Sequence, residues 1–407
     1  MVSARGPYPL SGITVVDLGQ IYNGSYATFM MAMAGADVIK VEPPGGEPLR
    51  VRAETGTGAL PFAMLNSNKR KIVLNLKTAR GQALLKQMVR KADVLLENFS
   101  PGTTEGLGVG PEVLQAENPR LIYASGSGYG RSGPYRDNLA MDLSVQAISG
   151  VMSITGNTGM EPLRCGATLC DFLGGVHLYG AVVTALYERE RTGKGRVVEV
   201  SMQEATYATL ASAIGMMYKQ GGERPPRVGN RHAGLAIAPY NVYRAKDGYV
   251  AILCPRERHW PNLLRCMGRE DLLDDPRFVD NRTRCEHIDM VDLVVGEWVA
   301  GLGKEEVFAR VREHGIPSAP VRELDEVVHD AHMHQRGMLV EIDHPDYGPI
   351  VVPRSPLRYE GVPEMEIRPS AHLGADTREV LAGFLGLDAA EIESLEADGV
   401  VAADGQA

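Results

Sequence analysis

Apolar strand patterns alternate with helix patterns through the N-terminal half of the chain, and this alternation constrains the fold more than any other feature. The helix patterns lie at 25–34, 79–90 and near 110–117. Strands that are apolar on both faces and separated by helices are typical of a parallel sheet with helices on each side. The sequence therefore predicts an α/β fold, whose strands we place at 13–18, 37–42, 71–76, 93–97, 120–125 and 196–200.

The rest of the chain predicts further domains. Its 407 residues exceed the usual size of one hydrophobic core. The stretch "KQGGERPPRVGNRHAG" is rich in Gly, Pro and Arg, a composition that marks a linker. We predict a large domain whose first part is 1–218, a linker at 219–234, a small α+β domain at 235–325 that opens with a β-hairpin, and a segment at 326–407 that returns to the large domain. Within these segments we expect a helix at 202–218, short strands at 337–360 and two helices at 376–396.

Composition and charge exclude several classes of function. The net charge of −9 and the pI near 5.7 argue against nucleic acid or an anionic membrane as the partner. The N-terminus lacks the apolar core of a signal peptide, and we find no apolar run long enough to span a bilayer, so we expect a cytoplasmic protein. Five cysteines without a CxxC pair support neither a disulfide framework nor a metal site.

The common nucleotide-binding and hydrolase motifs are missing from the sequence. The first strand-to-helix turn, "GQIYNGS", lacks G-x-G-x-x-G and carries the bulky Ile21 and Tyr22 where a pyrophosphate would approach the backbone. Neither a Walker-type loop nor a G-x-S-x-G elbow occurs. These absences disfavour nicotinamide, flavin and nucleotide enzymes as well as serine hydrolases.

The stretch "EPLRCGATLCDFLGG" offers two interpretations of Asp171. Aspartate is a preferred helix N-cap, and an apolar helix pattern follows, so the residue can be a cap with no chemical role. A carboxylate at a helix start after small residues would also stay ionised, open to a substrate and close to backbone N–H donors, as a nucleophile beside an oxyanion site requires. The flanking Cys165 and Cys170 are expected to be packing residues. Local pattern alone leaves both interpretations open.

Ten segments in order resemble the family III coenzyme A transferases, which include formyl-CoA and crotonobetaine CoA-transferases. Among them are "LSGITVVDLGQ", "GADVIKVEPPGGEPLR", "LNSNKRKIVLNLKT", "ADVLLENFSPG", "NPRLIYASGSGYGRSGPY" and "PLRCGATLCDFLGG". The resemblance implies a Rossmann-like large domain, a small α+β domain and an interlaced homodimer with active sites between the subunits. It also implies that coenzyme A esters and small carboxylic acids are substrates, and that no cofactor is bound permanently.

The resemblance also implies roles for individual residues. Asp171 matches the family's nucleophile, which forms a mixed anhydride and then an aspartyl-CoA thioester, and Asp142 matches an acidic residue that supports it. For Leu74 and Phe99 core packing is the alternative, and for Arg50 an exposed surface position. The expected residues of the CoA and substrate site are Tyr22, Asn23, Arg50, Leu74, Asn75, Lys77, Asn98, Phe99, Arg131 and His232.

The chain departs from the family pattern at several places. Ser100, Pro43 and Gly106 stand where relatives carry basic residues, so the 3′-phosphate of CoA is expected to contact Lys69, Arg70 or Arg131 instead. Arg50, Arg164 and Arg231 are candidates to bind a second carboxylate, as in succinate or its CoA ester. Racemases that share the fold carry a histidine and a glutamate where this chain has Met141 and Arg256, which disfavours the racemase alternative. A non-catalytic CoA-ester binding protein is the third possibility.

Overall fold

The computed structural model describes residues 6–51 and 59–403, which form two compact units. The first unit draws on Met1–Gln146, Ala167–Thr206 and Asp330–Ala407, and the second on Ala147–Gly166 and Tyr207–His329. The boundaries therefore fall after Gln146, Gly166, Thr206 and His329, whereas those predicted from the sequence lie after 218 and 325.

A seven-stranded sheet forms the centre of the first unit. Its order is β12-β3-β2-β1-β4-β5-β6, and every neighbouring pair is parallel except β12 with β3. The predicted parallel-sheet α/β core is thus confirmed. The strands are β1 (Thr14–Asp17), β2 (Asp37–Glu42), β3 (Lys69–Leu74), β4 (Val94–Glu97), β5 (Ile122–Ser127), β6 (Arg196–Ser201) and β12 (Val401–Ala402).

Helices cover both faces of this sheet. They are α1 (Asn23–Met33), α2 (Pro48–Val51), α3 (Ala59–Leu65), α4 (Ala79–Lys91), α5 (Thr103–Gly106), α6 (Pro111–Glu117), α7 (Asp142–Ser149), α9 (Leu169–Thr192), α10 (Met202–Tyr207), α17 (Ala331–Gln335), α18 (Thr377–Glu379) and α19 (Ala389–Ala397). Alternate strand residues face opposite layers, as the pleat requires: Val16 packs towards α4, whereas Val15 packs towards α1 and α9.

Helix α9 corrects one expectation from the sequence. By length and composition it is apolar enough to cross a membrane, whereas the sequence analysis finds no such segment. Of the 18 most apolar residues of this helix, 44% are buried inside the protein, where the helix packs on α1, β5 and β6. The helix also carries Asp171 and Arg189 as buried residues. Core packing therefore explains part of its apolar character.

The C-terminal segment completes the first unit. A hairpin of β10 (Leu339–His344) and β11 (Gly348–Pro353) comes first. After α18 the chain continues as a π-helical turn (Val380–Leu385) and α19, and then β12 adds to the free edge of β3. Side chains of this segment belong to the core cluster beneath the sheet.

The second unit is built around a three-stranded antiparallel sheet. The predicted hairpin is present as β7 (Tyr240–Ala245) and β8 (Gly248–Leu253), and β9 (Ser318–Pro320) pairs with β8. The predicted helix at 202–218 is interrupted by a 3₁₀ turn, Ala208–Leu210, which separates α10 from α11. The helices of this unit are α8 (Val151–Ile154), α11 (Ala211–Lys219), α12 (His259–Met267), α13 (Asn281–Glu286), α14 (Ile288–Ala300), α15 (Lys304–Glu313) and α16 (Leu324–Val328), with a further 3₁₀ turn at Glu270–Leu272.

Candidate active site

A cavity of about 300 Å³ opens in the first unit at the carboxyl ends of β1, β4 and β5. Strand order reverses here, because β2 and β3 lie on one side of β1 while β4, β5 and β6 lie on the other. Such a switch point leaves a crevice between diverging connections, where α/β proteins bind ligands. The lining comprises Gln20, Ile21, Asn23, Asn98, Phe99, Ser100, Pro101, Thr103, Gly126, Ser127, Gly128, Asn138, Ala140, Met141, Asp171 and Met202.

Asp171 faces this cavity from the first turn of α9. The helix begins at Leu169 and its N-cap is Thr168, so Asp171 is the third helical residue. The interpretation of Asp171 as the N-cap is therefore wrong. Its side chain is 8% exposed and belongs to the cavity wall. The neighbouring Cys170 is fully buried against Val145 and Met202, which agrees with a packing role.

Asp142 supplies the helix start with the acceptor that Thr168 does not. Its Oδ1 accepts hydrogen bonds from the backbone N–H groups of Cys170 (2.8 Å) and Asp171 (3.3 Å). Its Oδ2 accepts from Nε2 of Gln146 (2.6 Å), one helical turn further along α7. A carboxylate that caps free N–H groups stabilises a helix start and favours one orientation of it. Asp142 thus connects α7 to the residue that carries the cavity's carboxyl group.

The protonation state of Asp171 depends on its burial and on the neighbouring carboxyl group of Asp142. Burial, and to a smaller extent the nearby charge of Asp142, together raise the pKa of Asp171 to about 7. This corrects the expectation that the helix terminus keeps Asp171 ionised, because desolvation and like-charge repulsion outweigh the helix dipole. Near neutral pH the group therefore exchanges between an acid and a carboxylate.

The backbone N–H groups at the start of α9 are all engaged. Besides the two that donate to Asp142, the N–H of Leu169 donates to the carbonyl of Ala167 (2.9 Å). The N–H of Phe172 donates to the carbonyl of Thr168 (3.3 Å). The expected oxyanion site made by these groups is therefore not supported by the geometry.

The loop between β1 and α1 is held in an unusual conformation. Ile21 has φ of 57°, a value that is rare and strained for a β-branched residue. Its N–H donates to Oε2 of the buried Glu47 (3.2 Å). Asn98 fixes the preceding residue: Oδ1 accepts from the N–H of Gln20 (2.7 Å) and Nδ2 donates to its carbonyl (3.0 Å). Asn98 lines the cavity as predicted, but its amide is occupied in positioning this loop.

The predicted pair Tyr22 and Asn23 follows the strained loop. The ring of Tyr22 stacks on that of Phe172, with centroids 5.9 Å apart, next to Asp171 in sequence. Asn23 is 2% exposed, lies in the cavity wall and opens α1. In the described part of the chain neither Nδ2 nor Oδ1 of Asn23 has a hydrogen-bond partner. An unpaired buried amide is costly, which makes this side chain a candidate for ligand contact.

A second cavity of about 350 Å³ adjoins the first. Leu74, Asn75 and Lys77, which the resemblance assigns to the CoA nucleotide site, line this cavity. Phe99 lines both cavities and therefore stands between them. Two other residues, Gln20 and Thr103, also belong to both walls. Neither residue was predicted from the sequence, although both follow the carboxyl ends of β1 and β4, where a parallel sheet places ligand contacts.

Three of the basic residues proposed for anion binding already have partners within the protein. Nζ of Lys69 is fully buried and its three N–H groups are surrounded by acceptor oxygens of Asp17, Ser25, Thr28 and Asn66, all within 3.1 Å, so the prediction that it contacts a phosphate is wrong. Arg50 donates to Glu42 (2.8 Å) and stacks over the ring of Phe62. Arg70 pairs with Asp37 (2.5 Å) at the surface.

Arg131 remains a candidate near the sheet's carboxyl edge. Its guanidinium pairs with Glu105 (2.7 Å) and keeps about a quarter of its side chain exposed. It also contributes to the electrostatics of the buried Glu97, whose pKa is raised to about 7, mainly by burial. A predicted phosphate contact of Arg131 would therefore compete with Glu105.

The remaining predicted residues belong to the second unit. Nδ1 of His232 accepts from the N–H of Gly234 (3.1 Å), and its ring meets that of Tyr240 edge-on. Arg231 pairs with Asp289 and Asp292 (2.6 Å each), so its charge is already balanced. Arg164 and Arg256 are exposed and also belong to the second unit.

Taken together, the fold and the site define a class: an α/β protein with a buried, protonatable carboxyl group at the switch point of a parallel sheet. Among the residues that the structure describes, no cluster of His, Cys, Asp and Glu could hold a metal ion. The model of CoA-transferase family III matches residues 10–377. The chain belongs to this family and is a CoA-transferase.

Named relatives agree with this assignment. The chain is 37% identical to acetyl-CoA:oxalate CoA-transferase of Acetobacter aceti, over 90% of this chain and 93% of the relative. It is 33% identical to succinate–glutarate CoA-transferase of Agrobacterium fabrum, over 95% and 96% of the two chains. The crystal structure of a CaiB/BaiF family protein from Brucella suis superposes with a TM-score of 0.81 at 31% identity, covering 92% of this chain and 99% of the other.

Proposed function

We propose that this enzyme moves CoA from an acyl-CoA to a small carboxylic acid and that Asp171 is its nucleophile. The main support for this proposal is that Asp171 lies in the wall of a cavity that shares Gln20, Phe99 and Thr103 with a second cavity. This arrangement supports a long ligand, with the nucleotide of CoA in the second cavity and the pantetheine arm passing Phe99 towards Asp171.

The proposed reaction conserves the energy of the thioester. A carboxylate oxygen of Asp171 attacks the thioester carbon, the carbon–sulfur bond breaks, and CoA leaves as a thiolate. This step leaves a mixed anhydride between Asp171 and the acyl group. The thiolate then attacks the aspartyl carbon and expels the acyl group as a carboxylate. The acceptor acid attacks the resulting aspartyl-CoA thioester, and the returning thiolate converts the second anhydride into the new acyl-CoA. Because anhydrides hydrolyse readily, the depth of Asp171 in the cavity supports this route.

The acids exchanged belong to the small carboxylates. The relatives named above act on oxalate, succinate and glutarate, and a further relative from Chloroflexus aurantiacus is a succinyl-CoA–D-citramalate CoA-transferase. We therefore propose a dicarboxylate, with succinyl-CoA among the donors to be tested. A panel of acyl-CoA donors and acid acceptors, read by the mass of the CoA product, identifies the pair.

Racemisation is the less favoured chemistry of this fold. Met141, which lines the cavity, offers a thioether where racemases carry a histidine base. An α-deuterium exchange assay in D₂O tests this alternative. Exchange without CoA transfer would support a racemase.

The resemblance also supports an interlaced homodimer in the cytoplasm. A dimer requires a solution mass of twice the 44.0 kDa of one chain, which light scattering after gel filtration measures directly. A mass of one chain under assay conditions would contradict the proposed assembly.

Trapping of the covalent intermediate tests the proposed nucleophile. Hydroxylamine added with an acyl-CoA donor should convert the aspartyl thioester into a hydroxamate on Asp171, located by peptide mass spectrometry. Asp171→Asn should abolish both the adduct and the transfer. Asp137→Asn is the matched control, because the side chain of Asp137 is 75% exposed and pairs with Arg136 at the surface. Acylation of Cys165 or Cys170 in place of Asp171 would overturn the mechanism.

A further inference from the structure

The proposed reaction places negative charge on an oxygen that the helix start does not stabilise. Each attack on a thioester or anhydride carbon turns its carbonyl oxygen into an oxyanion, which a preorganised donor stabilises. The N–H groups of residues 169–172 already donate to Asp142, Ala167 and Thr168. A donor for the oxyanion must therefore come from another part of the cavity.

Asn23 is the side chain in the cavity wall whose hydrogen-bonding capacity is unused. It is 2% exposed, and both of its amide atoms lack partners among the described residues. By comparison, the amide of Asn98 already makes two hydrogen bonds to the backbone of Gln20. The other two amides in the wall, those of Asn138 and Gln20, are exposed and partly exposed to solvent, respectively. A preorganised donor has to be held in place away from water, a condition that Asn23 meets.

Two glycines make room for the Asn23 amide and place it close to Asp171. A Cβ at Gly174 would lie 2.2 Å from Nδ2, and a Cβ at Gly126 would lie 2.5 Å from Oδ1. The amide thus fills the space that these two glycines leave. Gly174 follows Asp171 by three residues in α9, and residues at that spacing are neighbours on one helix face, about 5–6 Å apart at Cβ. Nδ2 therefore packs against the face of α9 that carries Asp171, and both residues line the same cavity.

We infer that Asn23 is the oxyanion donor of this enzyme, with Nδ2–H donating to the reacting carbonyl oxygen. The inference rests on the proposed function, because it assigns the group that stabilises each tetrahedral intermediate on or from Asp171. When the carboxylate attacks the thioester, the carbonyl π electrons move to this oxygen, and they return as the carbon–sulfur bond breaks. Asn23 transfers no proton in these steps. Its Oδ1 is left to accept from a ligand donor, of which the pantetheine amide N–H is the closest to the sulfur.

Asn23→Ala tests the inference through the rate of adduct formation at saturating acyl-CoA. Loss of one oxyanion donor lowers such rates by about 100- to 1,000-fold. We expect a loss of this size in kcat and in the rate of labelling of Asp171, with little change in KM. We also expect the melting temperature to be retained, because the amide makes no hydrogen bond in the described fold. Asn118→Ala is the matched control, since Asn118 Nδ2 donates to the carbonyls of Val89 and Ala92, remote from the cavity. That variant should lose stability and keep kcat.

The possible outcomes separate the two proposals. If the wild-type enzyme never labels Asp171, the proposed function fails. If the wild type labels Asp171 and Asn23→Ala does so at the same saturating rate, the function stands and the inference is overturned. A higher KM at unchanged kcat would also overturn it, because it shows binding of the ground state alone. Gly174→Ala provides a second variant in case Asn23→Ala does not fold. Its Cβ would displace Nδ2, so it should lower kcat in the same manner, and full retention of kcat would again overturn the inference.

Discussion

The protonation state of Asp171 sets how CoA transfer should depend on pH. Because a carboxylate nucleophile must be ionised and the pKa of Asp171, the proposed nucleophile, is raised to about 7, the rate of adduct formation should rise about tenfold per pH unit below 7 and level off above it. Stopped-flow measurement of acyl-CoA consumption in single-turnover experiments between pH 5.5 and 8.5 gives this profile. A rate that is flat through this range would contradict the raised pKa.

Asp142→Asn separates the two causes of that raised pKa. The substitution removes the like charge and leaves the burial of Asp171 in place, so the midpoint of the pH profile should move to lower pH. The amide oxygen can still accept from the N–H groups of Cys170 and Asp171, but its NH₂ group would face Nε2 of Gln146, so some stability should be lost. Asp137→Asn, at the surface, should leave the midpoint unchanged.

Asp171 should also destabilise the fold once it is ionised. Its pKa lies above the ordinary value of 3.8 in the folded state, so the folded chain holds the proton more tightly than the unfolded chain does. Stability is therefore lost as pH rises from about 4 to 7. Asp171→Asn should match the wild type near pH 4.5 and melt a few degrees higher at pH 8. Calorimetry at both values checks this, and a gain that is equal at both would point to another cause.

At the residue scale, the structure places Asp171 in the cavity wall, a position that local sequence pattern does not predict. Periodicity alone allowed a helix cap, and only resemblance along the chain favoured a nucleophile. The true capping carboxylate, Asp142, lies 29 residues earlier, and the N–H groups that it accepts are not adjacent to it in sequence. Contacts over such distances depend on the packed fold, so the occupied helix start was beyond local sequence reasoning.

At the scale of elements, the strands were predictable because each is an apolar run between turn residues. Errors arose where packing overrides local pattern. The third strand spans Lys69–Leu74, two residues earlier than predicted, because the buried Lys69 and Lys71 point charged groups into polar networks inside the unit. Their surroundings show that charge in a sequence does not identify a surface position when buried partners are available.

Adjacent residues of β3 should therefore respond very differently to substitution. Lys69→Ala would leave the fully buried Asp17 without its ion-pair partner (3.1 Å), a change that costs about 3–5 kcal/mol in comparable cases. Arg70→Ala breaks only a partly exposed pair with Asp37, worth about 0–1 kcal/mol. Urea unfolding of both variants measures the difference. Similar losses for the two would mean that the buried ion pair contributes no more than the surface one.

At the scale of the whole molecule, one unit is assembled from three separate stretches of the chain. The last of these, Asp330–Ala407, contains β12, which forms the edge of the sheet next to β3. A return of the C-terminus to the first domain was predicted from two amphipathic helix patterns near the end of the chain. Its exact partner was not, because a two-residue strand carries too little pattern to indicate which sheet edge it joins.

Removal of residues 376–407 should prevent the first unit from folding. Oδ2 of Asp376 accepts from the N–H of Lys71 (2.7 Å), and Oγ1 of Thr377 accepts from that of Val73 (3.1 Å), so both protect the edge of β3. The segment also contributes six buried apolar side chains to the core: Val380, Leu381, Ile392, Leu395, Val400 and Val401.

Burial of each such side chain contributes about 1.5–3 kcal/mol, so their joint loss is comparable with the whole stability of a typical domain, about 5–15 kcal/mol. We expect the truncated chain to be insoluble or to lack a cooperative melting transition, although Asp142, Asp171 and Asn23 are all retained. A chain that ends after Ala403 is the control, since it keeps every contact described here and should melt like the full chain. Far-UV circular dichroism with a thermal scan compares the three proteins. A truncated chain that melts cooperatively would show that β12 and its helices are an accessory to the sheet.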